Sequence, residues 1–200
     1  MRPLDETIAR NIAAPDGIRV SYETHGAGSP ALVFVHGWSC DRGYWRGQLE
    51  PFSRRFKVVA VDLGGHRESG ADRERWTIAS FGADVAAVVE AEDLAPIILI
   101  GHSMGGDVIL EAARRLKGRV AGLVWVDVYS RLGTPRTFGE VQATLAPFRA
   151  AFGETTPPFV RGMFRSESDP ALVEEVARDM SAAPQHSRSA RSRPRSPTSP

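Results

Sequence analysis

The sequence predicts an α/β protein whose central sheet is mostly parallel and flanked by helices. Four short runs are continuously apolar, which is typical of strands covered on both faces. They comprise residues 31–36, 57–62, 97–100 and 120–126. Amphipathic segments separate these runs, and right-handed crossovers between parallel strands place such helices on the two faces of the sheet.

Each further element of the predicted sheet region follows from a local pattern. Residues 18–24 alternate apolar and polar side chains, which predicts a half-exposed first strand. A second edge strand precedes or follows it, and the sequence leaves both positions open. Apolar residues recur at helical spacing within 45–52, 81–89 and 108–116, so we expect a helix in each of these segments.

The character of the chain changes after Ser130. Residues 138–152 and 169–180 have the pattern of helices, and no strand of the buried type follows. Asp169 before Pro170 is a favourable helix start, because the side chain caps the helix and the proline lacks an N–H that is unpaired there anyway. We therefore expect a helical lid set on top of the sheet.

These patterns divide the chain into three predicted parts. They are an N-terminal core of residues 1–130, a helical lid of residues 131–184 and a Ser/Arg/Pro tail of residues 185–200. The tail lacks apolar periodicity and cannot bury enough surface to offset its ordering entropy, so we expect it to be disordered.

Composition excludes several classes of partner. The net charge of +1 argues against nucleic acid, and no apolar run approaches the ~20 residues of a membrane-spanning helix. The N-terminus lacks the apolar stretch of a signal peptide. One cysteine, Cys40, cannot form an intramolecular disulfide and is expected to be a packing residue. We expect a soluble cytoplasmic protein with a small-molecule substrate and with neither metal nor cofactor.

The segment Gly101-His102-Ser103-Met104-Gly105 is the strongest chemical signal in the sequence. It follows a buried strand and opens a helix, which is the context of a nucleophile elbow with Ser103 as the reactive residue. Gly101 and Gly105 allow a strained turn and close packing. The alternative is a glycine-rich turn without chemistry. Asp107, four residues later, is expected to be a surface or capping group.

Three motifs in order resemble the α/β-hydrolase superfamily, in particular its esterase, cofactor-free haloperoxidase and epoxide-hydrolase-like branch. They are His36-Gly37-Trp38 after a strand, the loop Val61-Asp62-Leu-Gly-Gly-His66, and Gly-His-Ser-Met-Gly-Gly. The resemblance covers roughly residues 17–130, and the lid extends it to about 183. It implies an α/β-hydrolase fold with a helical lid after the sixth strand.

The resemblance also implies roles for residues around the elbow. The backbone N–H groups of Trp38 and Met104 would form the oxyanion hole, and His36 would be a structural hydrogen-bonding residue. Branches that open haloalkanes or epoxides have aspartate at the elbow, so Ser103 favours acyl transfer to water. Arg67 stands where the family commonly has glycine, and a left-handed backbone there would disfavour arginine by roughly 1 kcal/mol.

A serine nucleophile needs a base and an orienting acid, which in this family follow it in the chain. Asp127 is the candidate acid, although it is also well placed as a loop hydrogen-bonding residue. The only downstream histidine is His186, in the tail, where we expect it to have no role. Strands 7 and 8 of the family are expected to be absent, as if the chain were cut off after its lid. Two origins of the tail are open, a frameshift near residues 183–185 and a natural disordered tail.

Two functions follow from these expectations. The first is a serine hydrolase scaffold for a small ester or related carbonyl substrate, impaired by the missing histidine. The alternative is an inactive fragment or a scaffold that binds a small ligand or a partner. A missing seventh strand would leave Val124 and Val126 uncovered on an exposed sheet edge, so we also expect self-association.

Overall fold

A computed structural model describes residues 8–128 and 137–183, which belong to two compact units. The first unit contains strands β1 Ile8–Ala13, β2 Arg19–His25, β3 Ala31–Val35, β4 Val58–Asp62, β5 Ile97–His102 and β6 Val120–Val126. Its helices are the 3₁₀ turn Arg42–Trp45, α1 Arg46–Ser53, α2 Ile78–Ala91 and α3 Met104–Arg115. The second unit contains α4 Phe138–Ala150, α5 Phe152–Arg161 and α6 Pro170–Ser181.

The six strands form one mixed sheet in the order β1-β2-β4-β3-β5-β6. β2 runs antiparallel to both of its neighbours, whereas β4, β3, β5 and β6 are parallel to one another. The predicted parallel sheet of an α/β protein is therefore confirmed. The additional edge strand that the sequence left open is β1, which precedes the first predicted strand.

Both faces of the parallel strands are buried, which explains their continuous apolar sequences. Val33, Val35 and Leu99 point to the face covered by α2 and α3, where Phe81 and Ile109 join them in one core. The alternate residues of the same strands point to the opposite face. There a second core contains Leu32, Phe34, Val58, Ala60 and Ile100 with Trp45 and Leu49.

A buried ion pair fixes the loop after β4 against α2. The Asp84 carboxylate in α2 accepts hydrogen bonds from the Gly64 amide (3.0 Å) and from the Arg73 guanidinium (3.1 and 2.5 Å). The side chains of Asp84 and Arg73 are both almost fully buried. Because each charge is paired inside the protein, the pair holds the loop without leaving a buried charge alone.

Strand β6 differs from the other parallel strands. Its sequence is as apolar as theirs, which had predicted a strand covered on both faces, yet Val124, Trp125 and Val126 are 44%, 52% and 38% exposed. Among the described residues β6 pairs only with β5 and is an edge of the sheet. The expected exposure of Val124 and Val126 agrees with this position.

The described part of the second unit, residues 137–183, contains helices and no strand. The predicted helices correspond to α4 and α6, and Asp169 caps α6 through the Ala171 amide (2.9 Å). The sequence pattern predicted no helix between them, but α5 is a helix that includes Pro157 and Pro158. Residues Phe152, Thr156 and Val160 recur every fourth position and are buried, so their packing stabilises this helix. The predicted boundary at Ser130 and the tail from 185 lie outside the described residues.

Candidate functional site

Ser103 occupies a strained turn between β5 and α3. Its backbone has φ 51° and ψ −120°, a conformation that residues other than glycine rarely adopt. Its amide donates to the Val126 carbonyl (3.1 Å), and its own carbonyl accepts from the Gly106 amide (2.9 Å). These backbone bonds hold the residue in the turn and leave its half-buried side chain outside the helix.

Two glycines make this turn possible. A Cβ atom at Gly101 would lie 2.3 Å from the Gly105 carbonyl oxygen, and one at Gly105 would lie 2.6 Å from the Val35 carbonyl oxygen. Both neighbours are backbone atoms that cannot move aside. Any side chain at either position would therefore push α3 away from the ends of β3 and β5.

The end of β3 passes directly beside the turn. A Cβ atom at Gly37 would lie 3.1 Å from the Ser103 Cβ, so Trp38, the next residue, belongs to a segment that passes close to the serine. Met104 is the first residue of α3, where a backbone N–H has no acceptor within the helix. The structure thus brings the segments of Trp38 and Met104 to Ser103.

His36 is a buried structural residue, as the sequence analysis expected. Its Nε2 accepts from the Leu63 amide (3.1 Å), and its Nδ1 donates to the Gly37 carbonyl (2.8 Å). Burial lowers the pKa of His36 well below its ordinary value, because a charged imidazole would be desolvated and Nε2 could no longer accept. The residue joins the ends of β3 and β4.

No histidine of the described residues forms a hydrogen bond to the Ser103 hydroxyl. Besides His36, His66 bonds the Gly64 carbonyl through Nδ1 (3.0 Å), and His25 lies near Glu23 in β2. The ring of His102 packs edge-on against Trp45, with 6.5 Å between ring centroids, and burial lowers the pKa of His102. His186 lies outside the described residues.

Asp127 follows β6 directly and is exposed, with a left-handed backbone at φ 47°. Asp127 is next to Val126, whose carbonyl accepts from the Ser103 amide, so only one residue separates Asp127 from this backbone contact with the turn. Burial lowers the pKa of His102, and the negative charge of Asp127 opposes this shift. Asp107 is exposed in the first turn of α3, as expected of a surface group near a helix N-terminus.

Asp62 at the end of β4 was named in the sequence only as part of a motif, and its role as a buried carboxylate was not predicted. Asp62 accepts hydrogen bonds from the Arg42 amide (2.8 Å) and the Glu68 amide (3.4 Å) and pairs with the Arg42 guanidinium. Burial raises the pKa of Asp62 to about 6, although Arg42 opposes the shift. An aspartate that ends an apolar strand before a glycine-rich loop was the available signal. The loop also holds Arg67 at φ 41°, which is the left-handed conformation that disfavours arginine.

No group of three or more His, Cys, Asp or Glu side chains that could hold a metal ion occurs in the part of the chain that the structure describes. Within the same residues, no helix is long and apolar enough to cross a membrane.

Comparisons with known proteins give one consistent result. The model of the alpha/beta hydrolase fold family matches residues 30–189. A non-heme chloroperoxidase from Streptomyces lividans is 36% identical over an alignment of 155 residues, which covers 70% of this chain and 56% of that protein. The chain spans between a third and a little over half of the curated relatives that head the comparison, at 33%, 56% and 41% of their lengths.

Two solved structures are similar over most of the chain. An esterase from Exiguobacterium antarcticum has a TM-score of 0.80 at 21% identity and covers 90% of this chain and 70% of its own. A thermophilic esterase from Thermogutta terrifontis has a TM-score of 0.74 at 26% identity, with coverage of 92% and 70%.

Proposed function

The chain belongs to the alpha/beta hydrolase fold family, and on that premise we propose that it is a serine hydrolase scaffold with Ser103 as the nucleophile. The proposed reaction is transfer of an acyl group from a small ester or related carbonyl substrate to water. The observation that carries the proposal is the strained backbone of Ser103 at the junction of β5 and α3. Such strain persists at functional sites because the surrounding structure imposes it.

The position of Ser103 suits attack on a carbonyl carbon. The serine precedes the first turn of α3, where the helix dipole and unpaired N–H groups favour the negative charge that develops during attack. An alkyl halide or an epoxide would instead require a carboxylate to form the ester intermediate. The thermophilic esterase at 26% identity agrees with a carbonyl substrate.

In this proposal the backbone N–H groups of Trp38 and Met104 bind the tetrahedral oxyanion. Support comes from the close approach of Gly37 to Ser103 and from the position of Met104 at the start of α3. One well-placed donor of this kind is worth about 3 kcal/mol in the transition state. Residues 131–184 would act as the lid segment that selects the substrate.

The proposed nucleophile needs a general base that removes its proton. Asp127 is the candidate acid, but no described histidine bonds the Ser103 hydroxyl, and a serine without a base is a poor nucleophile. We therefore propose low activity. The same observation favours a second candidate function, an inactive scaffold that binds a small ligand or a partner.

A fluorophosphonate probe separates the two functions, because it reacts covalently with an activated serine. The proposal predicts slow labelling of the 200-residue chain at Ser103, located by peptide mass spectrometry. Ser103→Ala should abolish labelling, whereas Ser166→Ala, which changes an exposed serine in the second unit, should not. His186→Ala should label at the unmodified rate, since no role is proposed for that histidine.

The outcomes distinguish the candidate functions. Folded protein that stays unlabelled would refute the hydrolase proposal and support the binding scaffold. A large loss of labelling in His186→Ala would instead identify His186 as the base and contradict the proposed low activity.

A further inference from the structure

The segment of residues 37–41 follows β3 and carries the backbone N–H of Trp38, the proposed oxyanion donor. Within this segment the Cys40 amide donates to the Gly37 carbonyl over 3.3 Å, which is longer than most hydrogen bonds of this type. A turn with a bond of this length does not by itself fix the direction of an N–H group. The position of the donor therefore depends on what holds the far end of the segment, at Asp41.

The Asp41 carboxylate connects the segment to the 3₁₀ turn that follows it and to the loop after β4. Its Oδ1 accepts hydrogen bonds from the Gly43 amide (2.7 Å) and from the Arg67 guanidinium (3.0 Å). The guanidinium also lies against the backbone of the 3₁₀ turn, because a Cβ atom at Gly43 would be 3.0 Å from the Arg67 Nη1. Arg67 therefore pairs with Asp41 and packs on the turn that Asp41 caps.

The loop that carries Arg67 is itself fixed to the sheet. The Ser69 hydroxyl donates to the Asp62 carbonyl in β4 (2.7 Å) and accepts from the Ser21 amide in β2 (2.8 Å). Within this fixed loop Arg67 has a left-handed backbone at φ 41°, a conformation that favours glycine. The loop thus holds an arginine where its backbone is unfavourable and where its guanidinium reaches the segment after β3.

We propose that Arg67 is a positioning residue, which through Asp41 holds residues 37–41 so that the Trp38 amide stays beside Ser103. The inference rests on the proposed function, in which that amide binds the oxyanion. A donor is most effective when it is in place before attack, because no reorganisation is then needed in the transition state. The side chains of Arg67 and Asp41 are 51% and 26% exposed, so their pair shifts the equilibrium of the segment by up to roughly fivefold.

Amide hydrogen exchange of the full chain tests whether the pair holds the segment. Arg67→Ala removes the pair and keeps the backbone strain, whereas Arg67→Gly removes both. The amides of residues 38–44 should exchange about threefold faster in both variants, although Arg67→Gly should melt ~2–4 °C above Arg67→Ala. Arg119→Ala is the matched control, because it removes a partly exposed pair with Asp93 at the opposite end of the sheet, and it should leave this exchange unchanged.

The rate of fluorophosphonate labelling at Ser103 tests the consequence for the proposed reaction. Both Arg67 variants should label roughly twofold to fivefold more slowly than the unmodified chain. Asp41→Asn keeps an oxygen that can accept from the Gly43 amide but removes the charge that pairs with Arg67, so it should label equally slowly. Because the two side chains act as one pair, the double variant Arg67→Ala/Asp41→Asn should be no slower than either single variant.

Three results would overturn the proposal. They are exchange of residues 38–44 that is unchanged in both Arg67 variants, exchange that follows the melting temperature and is slower in Arg67→Gly than in Arg67→Ala, and labelling of both variants at the rate of the unmodified chain. An unmodified chain that stays unlabelled at Ser103 would refute the proposed function alone. Faster exchange in both variants would then still support the role of Arg67 in holding the segment.

Discussion

Replacement of Ser103 by glycine should stabilise the fold while it removes the proposed nucleophile. The serine has φ 51° and ψ −120°, and a non-glycine residue in such a conformation costs of order 1–3 kcal/mol. Glycine adopts the conformation without a steric penalty, but it loses roughly 0.5–1 kcal/mol more backbone entropy on folding. The difference leaves a net gain of about 1 kcal/mol.

Ser103→Ala is the appropriate reference for this comparison. Alanine keeps the Cβ atom and therefore the strain, and it removes only the hydroxyl, which caps no described backbone group. We expect Ser103→Ala to stay within ~0.5 kcal/mol of the unmodified chain. The free energy of unfolding of Ser103→Gly should exceed that of Ser103→Ala by about 1 kcal/mol, which corresponds to ~2–4 °C in melting temperature for a chain of this length.

Urea unfolding of both variants measures this difference directly. Ala113→Gly is a control in the last turn of α3, where glycine relieves no strain and should cost roughly 0.5–1 kcal/mol. A Ser103→Gly variant that is no more stable than Ser103→Ala would refute the argument. The turn would then hold the serine without storing strain.

Two further predictions concern buried charge and pH. Asp84→Asn should lower the free energy of unfolding by about 3 kcal/mol, because it leaves the buried Arg73 guanidinium without its main counter-charge. Asp93→Asn, which removes one charge of an exposed pair, should change the free energy of unfolding by less than ~1 kcal/mol in the same urea titration. His36 has a lowered pKa in the folded state, so the stability that it contributes is present above pH ~6.5 and is lost below it. In that range the free energy of unfolding should fall with a slope that approaches ~1.4 kcal/mol per pH unit. His36→Gln should remove that slope from unfolding free energies measured between pH 7 and pH 5, and an unchanged slope would show that His36 is not the titrating group.

The sequence predicted the elements whose signal is local and strong. β3, β4 and β5 are continuously apolar because both of their faces are covered, and this pattern needs no knowledge of the neighbours. The position of β1 stayed open in the sequence because it is an exposed antiparallel edge strand with mixed polarity. α5 escaped because its two prolines outweighed the buried stripe of every fourth residue, which becomes visible only when other helices pack on it.

In the candidate site, too, the residues with a local signal could be predicted and those that depend on distant segments could not. Ser103 and its two glycines could be identified from five residues, since the turn is fixed by backbone atoms that lie close in the chain and by the end of β3. A general base cannot be found this way, because it reaches the serine only through the folding of a distant segment. Asp127 shows the difference: the sequence placed it after a strand, and only the structure shows that its charge acts on His102.

The geometry of the nucleophile and its activation are therefore separate properties of this chain. The strained turn depends on Gly101, Gly105 and the backbone bonds of Ser103, none of which involves a base. A chain can consequently keep the turn, and the instability that comes with it, whether or not the serine reacts. Stability measurements on Ser103→Gly report the strain of the turn, and fluorophosphonate labelling reports the reactivity of the serine. Strain without labelling would mean that the fold preserves the turn without a reactive serine, whereas strain together with slow labelling at Ser103 is the result that the proposed hydrolase scaffold predicts.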